Sequence, residues 1–190
     1  GNAFTRNGEE NPPYPLNQIP QAVASVHKDG LIFGKDNVTR RALVSLYDRL
    51  TFEMALASRL HTHDEVPNPP GTYQASDNNA QYFMFKLHQT GGVVYDPDYE
   101  TFPYARYSFV DLIEGKIPEG TLEGKIVLVG SYQRENPNDF TMINTRSKQN
   151  LIPKILVHAN VLDSILNEQG VTPVPTAFTA VLCFLLSVIV

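Results

Sequence analysis

Two histidines and two acidic residues lie within five positions of each other, and all four side chains can ligate a metal ion. They are His61, His63, Asp64 and Glu65. On an extended loop, His61 and His63 would point the same way. A structural or catalytic metal site needs three or four ligands, and the sequence offers no matching partner motif for this group. We therefore predict that residues 61–65 form a solvated loop that holds no metal.

The other patterns that could support catalysis are incomplete. A phosphate-binding loop needs four residues between its glycines, then Lys and Ser or Thr. Here only three residues separate Gly120 from Gly124, and Ile126 follows Lys125. No Ser/His/Asp or Cys/His set has the context of a nucleophile elbow, and the single cysteine, Cys183, lies in the most apolar stretch. The sequence therefore predicts that this chain is not an enzyme and has no cofactor.

Two further polar residues lie in or beside predicted elements. His158 is on a predicted helix whose other face is apolar. We interpret it as a core residue that hydrogen-bonds to backbone rather than as a catalytic base. Asp139, at the end of a strand or turn, could hold an arginine or cap a neighbouring helix.

The composition is that of an ordinary globular chain of one-domain size. Its 190 residues are 42% hydrophobic and 18% charged, with a net charge of −5 and a pI near 5.5. The largest basic block is the pair Arg40 and Arg41, which is too small a footprint for nucleic acid. The two arginines could bind a carboxylate ligand, but we favour an ion pair with Asp36 or Asp48.

Hydrophobic spacing divides the first half of the chain into short elements. Residues 21–34 predict a β-hairpin, and residues 35–37 a second turn. Apolar residues at every third or fourth position predict a helix over residues 45–61. The polar, proline-containing residues 61–79 predict a surface loop, and the alternation in residues 81–88 predicts a strand.

The second half alternates between helix and strand. Ser108 is followed three positions later by a carboxylate, which is the spacing of a capping box, and this helix should end at Gly115. Residues 125–129 are a continuous apolar run between turns, which predicts a strand buried on both faces. Residues 155–167 predict an amphipathic helix closed by Gly170. The order predicts an α/β fold: a layered sandwich with a mixed, partly parallel sheet and flanking helices.

The last 15 residues, 176–190, contain no charge, no glycine and no proline. As a helix they would reach roughly 22 Å, short of the ~30 Å hydrocarbon core of a membrane. They could be a buried C-terminal helix, but only three of them are polar, so we interpret them as the first turns of a transmembrane helix. The predicted domains are then a linker or loop over 1–20, a folded domain over 21–172 and the start of the membrane segment over 173–190.

Four motifs share the order and spacing of a known family. Residues 34–41 form an Asp-x-x-x-Arg-Arg turn, and residues 107–115 a short helix that ends in glycine. Residues 122–130 carry a Gly-Lys-Ile-Val-hydrophobic-Gly strand, and residues 157–162 a hydrophobic-His-Ala-Asn helix. Together they resemble the CHASE type 2 domain, the cyclases/histidine kinases associated sensory extracellular domain, over roughly residues 22–190.

The resemblance selects a set of candidate residues. They are Arg40, Arg41, Ser108, Gly130, Asp139, His158 and Asn160, with Asp139 at a position where the family carries an aspartate. The chain departs from the family pattern at residues 140–142, where Phe-Thr-Met replaces the usual Thr-Pro. The family's first half has no counterpart here, so we expect the second part of the domain.

The resemblance implies a bacterial receptor in the inner (cytoplasmic) membrane, with this domain on the periplasmic or extracellular side. In that family the cytoplasmic output is a nucleotide or diguanylate cyclase, or a histidine or Ser/Thr kinase. The implied partners are an unknown small-molecule or physical signal and the membrane, with a homodimer as a further option. Two alternatives stay open: a membrane-anchored enzyme of unknown reaction, and an assembly or dimerisation module that binds no ligand.

Overall fold

The computed structural model describes residues 38–46, 49–60, 66–74, 79–88, 103–133, 135–144, 149–172 and 174–189. In chain order these form strands β1 (Val38–Thr39), β2 (Ala42–Leu46) and β3 (Arg49–Leu50), helix α1 (Phe52–Leu60), strands β4 (Tyr73–Gln74) and β5 (Ala80–Phe83), helix α2 (Phe109–Ile113), strands β6 (Phe140–Asn144) and β7 (Gln149–Pro153), and helices α3 (Lys154–Leu166) and α4 (Thr176–Ile189). The predicted hairpin over residues 21–34, the turn over 35–37 and residues 61–65 of the predicted surface loop over 61–79 lie outside the described residues, and β4 interrupts that loop at Tyr73–Gln74.

The strands form two sheets. The first has the order β1-β6-β7, with β1 parallel to β6 and β7 antiparallel to it. The second has the order β3-β2-β5-β4 and is antiparallel throughout. The predicted fold class is confirmed, because helices accompany a mixed, partly parallel sheet.

The main core is built where both sheets meet the two helices α1 and α3. It is formed by buried apolar side chains from β2, α1, β5, β6, β7 and α3, among them Val44, Met54, Phe83, Ile143, Ile152, Leu156, Val161 and Ile165. On the other face of the second sheet, Leu43 and Tyr82 form a smaller cluster with Ala80. Strand β2 therefore buries successive residues on opposite faces, as strand geometry requires.

The helix predicted over residues 45–61 is wrong in its first turns. Strands β2 and β3 occupy that region, and α1 begins only at Phe52. The Thr51 hydroxyl donates to the carbonyl oxygen of Leu43 at 2.9 Å, which closes the turn between strand and helix. Pairing of β2 with β5 and β3 satisfies its backbone in the sheet, so tertiary pairing overrides the helical spacing.

The buried central strand predicted over residues 125–129 is also wrong. The segment forms no strand, and Val127 and Val129 are 49% and 71% exposed. Within the described part of the chain no strand lies beside it, and the parallel position next to β1 is taken by β6. An apolar run between glycines becomes a buried strand only where neighbours supply a ladder. Only Leu128 packs against the core.

The predicted helix over residues 155–167 is confirmed as α3, within one residue at each end. The helix ends before the predicted stop at Gly170, and the residue with a left-handed backbone that follows it is Glu168, with φ of 52°. The short helix predicted from Ser108 is confirmed as α2, followed by Gly115 in the left-handed region with φ of 69°.

Helix α4 lies outside the core. Phe178, Leu182 and Leu186 are 61%, 46% and 56% exposed, so these three side chains do not pack into the domain. Among the helices of the described residues, none combines the length and the apolar character needed to cross a membrane. The assignment of residues 173–190 to a membrane segment stays a prediction.

Candidate functional site

A buried carboxylate and an imidazole join the two core helices. Glu53, in the first turn of α1, contacts Nδ1 of His158 on α3 through its Oε1. The two side chains are only 8% and 20% exposed for Glu53 and His158, respectively. Because a buried carboxylate is costly unless it is paired, this contact fixes the position of α1 against α3. The partner of His158 is therefore a side chain and not the predicted backbone group.

Phe52 adds a second contact to the same imidazole. Its ring meets the His158 ring edge to face, with 6.4 Å between centroids and an angle of 85° between the planes. Ring contacts of this kind favour one orientation of both groups. The carboxylate on one side and the phenyl ring on another hold the imidazole in place.

Asp139 organises the chain segment that faces these helices. Its Oδ2 accepts hydrogen bonds from the Ser131 hydroxyl at 2.7 Å and from the Gln133 backbone N–H at 2.9 Å. Its Oδ1 accepts one from the Asn136 side-chain amide at 3.1 Å. Asp139 ends a 3-10 turn (Pro137–Asp139) directly before β6, so it ties residues 131–133 to the start of that strand. These hydrogen-bond partners of Asp139 differ from the arginine partner or helix cap that the sequence predicts.

Gly130 allows the same segment to approach α3. A Cβ atom at this position would lie 2.7 Å from Cδ1 of Ile155, closer than side chains tolerate. The absence of a side chain therefore lets residues 127–131 pass close to the first turn of α3.

These groups line a cavity of about 290 Å³ that is open to solvent on one side. Its lining comprises Phe52 of α1, Lys154, Ile155 and His158 of α3, residues 127–131, and the pair Asn138 and Asp139. Three of the seven residues selected by the family resemblance, Gly130, Asp139 and His158, meet here. The cavity is the candidate functional site of the chain.

Asn160 belongs to a different contact of α3. It is fully buried, donates to the Leu156 carbonyl oxygen at 2.7 Å and accepts from the His88 backbone N–H at 2.5 Å. Ser164, one turn later, accepts from the Lys86 N–H at 3.0 Å and donates to the Lys86 carbonyl at 3.1 Å. The predicted strand over residues 81–88 thus leaves the sheet after β5 and continues along α3, where side chains replace a strand partner.

Tyr104 covers this second contact from outside. Its hydroxyl lies 3.5 Å from Oδ1 of Asn160, and its ring packs on that of His88 with 5.6 Å between centroids. Burial, together with the negative charge of Asp163, raises the pKa of Tyr104 well above its usual range. The tyrosine therefore stays neutral and acts as a hydrogen-bond donor.

The other three candidate residues lie away from the cavity. Arg40 is exposed between β1 and β2, with its guanidinium 3.5 Å from the Val38 carbonyl, and Arg41 beside it is half-buried. Ser108 is exposed at the start of α2 and makes no side-chain capping bond, so the predicted capping box is wrong although the helix forms. The predicted ion-pair partners Asp36 and Asp48 fall outside the described residues.

Metal binding has no support in the described residues, where no three or more histidine, cysteine or acidic side chains are grouped to hold an ion. The loop of residues 61–65, for which we predict no metal, lies outside them. Sequence reasoning missed Glu53, Lys154 and Ser164. The sequence contains one indication of the role of Glu53: this charged residue lies directly beside Met54, which is buried in the same helix.

Comparison with known protein families identifies the family of this chain. The family model of the CHASE2 domain matches residues 9–190, nearly the whole sequence. The chain therefore belongs to the CHASE2 domain family, which is a family of extracellular sensory domains and not of catalytic ones. Neither the curated proteins nor the solved structures gave a significant match.

Proposed function

We propose that this chain is the extracytoplasmic signal-sensing domain of a bacterial receptor in the inner (cytoplasmic) membrane. In this proposal it regulates a cytoplasmic output domain, either a nucleotide or diguanylate cyclase or a histidine or Ser/Thr kinase. The observation that carries the proposal is the family match over residues 9–190, which supplies the sensory role.

The surface of α4 supports a membrane attachment. The helix carries no charged residue, and its large apolar side chains are about half exposed or more, including Phe178 and Phe184. A helix in water normally keeps a polar face towards solvent. Lipid would cover the exposed apolar surface of α4, so we propose that this helix begins the membrane segment.

The connection between α3 and α4 supports transmission of a signal. The Val171 backbone N–H donates to the Met84 carbonyl at 2.8 Å, beyond the end of β5. At Gly71 an added Cβ would lie 2.6 Å from the Val171 carbonyl oxygen, so the two backbones are in close contact. The connector between α3 and α4, residues 167–175, is short and is held at Val171. A displacement of α3 is therefore expected to displace α4 as well.

Cysteine labelling of the full-length protein tests the proposed side of the membrane. Ser108 is exposed and makes no side-chain cap, so Ser108→Cys offers one accessible thiol in a background where Cys183 and any cysteine elsewhere in the protein are replaced by Ser. We expect a membrane-impermeant maleimide to label it in intact spheroplasts as fully as after lysis. In the matched control, the wild-type thiol of Cys183 is expected to be shielded by lipid. Labelling of Ser108→Cys only after lysis would contradict the proposal.

A further inference from the structure

We propose that an exposed apolar surface on α2 and the nearby segment of residues 127–129 binds the same surface of a second copy of this chain. This surface, the α2 surface, is defined by six exposed side chains: Phe109, Val110, Leu112 and Ile113 of α2, with Val127 and Val129. The inference goes beyond the proposed sensing role, since it names an interaction surface and the partner that covers it.

Helix α2 directs its apolar side chains to solvent. None of its residues is buried. At about 100° per residue, its four apolar side chains lie within one arc of about 160°, and Asp111 lies on the opposite side. There the Lys116 ammonium pairs with Asp111 at 3.8 Å and with Glu114 at 2.6 Å. The helix is therefore amphipathic, and the face that such a helix normally buries is exposed.

The two parts of the α2 surface start from one place on the domain. Tyr104, Leu128 and Tyr132 all pack against the main core. The Arg106 guanidinium lies 5.4 Å from the centroid of the Tyr132 ring. The chain thus leaves the core just before α2 and returns beside the same point directly after Val127. This path brings the apolar face of α2 and the two valines to one side of the domain.

The exposed area of this surface matches what a specific interface needs. Its six side chains are between 41% and 71% exposed, so together they present on the order of 600 Å² of apolar surface. The largest apolar patch on a typical monomer is about 300–600 Å². The smallest specific protein–protein interfaces take about 600 Å² from each partner. The α2 surface is therefore at the upper limit for a monomer and large enough for an interface.

The charges around the surface favour a second copy over lipid. The six side chains are uncharged, so a twofold axis through the surface brings no like charges together at its centre. Residues 107–130 contain four acidic and two basic residues, a net charge of −2. A helix that lies on a membrane surface normally carries an excess of lysine and arginine on its polar face. An apolar centre with a polar rim is instead the anatomy of a protein–protein interface.

Cysteine cross-linking in the full-length protein tests the interface. Val129→Cys is introduced on the α2 surface and Leu151→Cys at an exposed position of β7, each in a background without other cysteines. We expect a membrane-permeant bismaleimide in intact cells to join two copies through Val129→Cys at least about tenfold faster than through Leu151→Cys. Ile113→Asp places a charge in the interface and should slow the cross-linking of Val129→Cys by a similar factor. Leu151→Asp, the matched control, should leave that rate unchanged.

A second aspartate variant and a folding control complete the test. Phe109→Asp, at the first residue of α2, should act in the same way as Ile113→Asp. Neither residue is buried, so neither change removes a core contact, and unchanged resistance to trypsin checks that the fold is kept.

Equal cross-linking through the two cysteines, or no effect of either aspartate variant, would overturn the interface. A Val129→Cys thiol that forms no dimer and resists a water-soluble maleimide after lysis would also overturn it. That result would place lipid or another part of the protein over the α2 surface.

Discussion

Glu53 and His158 are 105 positions apart in sequence, yet Oε1 of one contacts Nδ1 of the other between α1 and α3. The contact lies at the edge of the candidate cavity, and His158 takes part in both. A single pair therefore fixes the helix packing and orients the imidazole that faces the cavity. The packing of α1 against α3 is therefore linked to the wall of the cavity.

A double-mutant cycle should measure this coupling. Glu53→Ala, His158→Ala and the double variant are expected to give an interaction energy of about 1–3 kcal/mol in urea unfolding, since each single change leaves a buried partner unpaired. The matched cycle uses Glu123→Ala, an exposed glutamate, with His158→Ala and should be additive. Additivity of the Glu53 cycle would show that the pair contributes nothing.

The contact of Asn160 with residue 88 is expected to be essential for stability. Asn160→Ala removes the acceptor of the His88 N–H and leaves a cavity, so we expect a loss of about 2–4 kcal/mol. Asn167→Ala changes an exposed asparagine at the end of the same helix and should cost less than about 0.5 kcal/mol. Similar midpoints for the two variants would refute the role of Asn160.

The raised pKa of Tyr104 predicts that the folded chain loses stability at alkaline pH. Its pKa is raised in the folded chain by burial and by Asp163, so the folded state keeps this proton at a pH where the unfolded state releases it. The contribution is complete below about pH 10 and is lost as pH rises towards the folded pKa. Tyr104→Phe should therefore lose stability less steeply than wild type above pH 10. Parallel curves of unfolding free energy against pH for wild type and Tyr104→Phe would contradict this prediction.

Gly170 is expected to tolerate no side chain. A Cβ there would collide with the backbone carbonyl oxygen of Pro70, which cannot rotate away. Gly130→Ala meets the side chain of Ile155, which can shift more easily than backbone, and Gly115→Ala meets open space despite its positive φ. We expect the largest fall in Tm for Gly170→Ala and about 1 kcal/mol for Gly115→Ala from backbone strain alone. Thermal unfolding that ranks Gly170→Ala as the mildest variant would reject the close contact.

Local patterns predicted the elements whose stability is local. Helix α3 has a 3.6-residue period over its whole length, and α2 has its glycine stop. The end of β2 and all of β3 fall inside the predicted helix because the pairing of Leu46 with Ala80 is a long-range contact that spacing does not encode. The strand predicted over residues 125–129 is wrong for a related reason, because a strand forms only where neighbouring strands pair with it.

The candidate site was predictable only in part. Gly130, Asp139 and His158 were selected by a family resemblance, and the structure places them around one cavity. Lys154 also lines that cavity and Glu53 contacts His158 behind it, but no short motif links these two residues to the others. Their roles follow from the packing of α1 against α3, which brings residues from distant parts of the sequence together.

The most direct test of the sensing function replaces residues 171–175 with a Gly/Ser linker in the full-length protein. Output product per receptor is then measured across a fixed set of growth media, with a Gly/Ser replacement of residues 116–119, most of which are exposed, as control. We predict that output varies between media in wild type and control, and that the linker variant folds but gives a constant output, because α3 no longer moves α4. The same variation in the linker variant as in wild type would contradict the account.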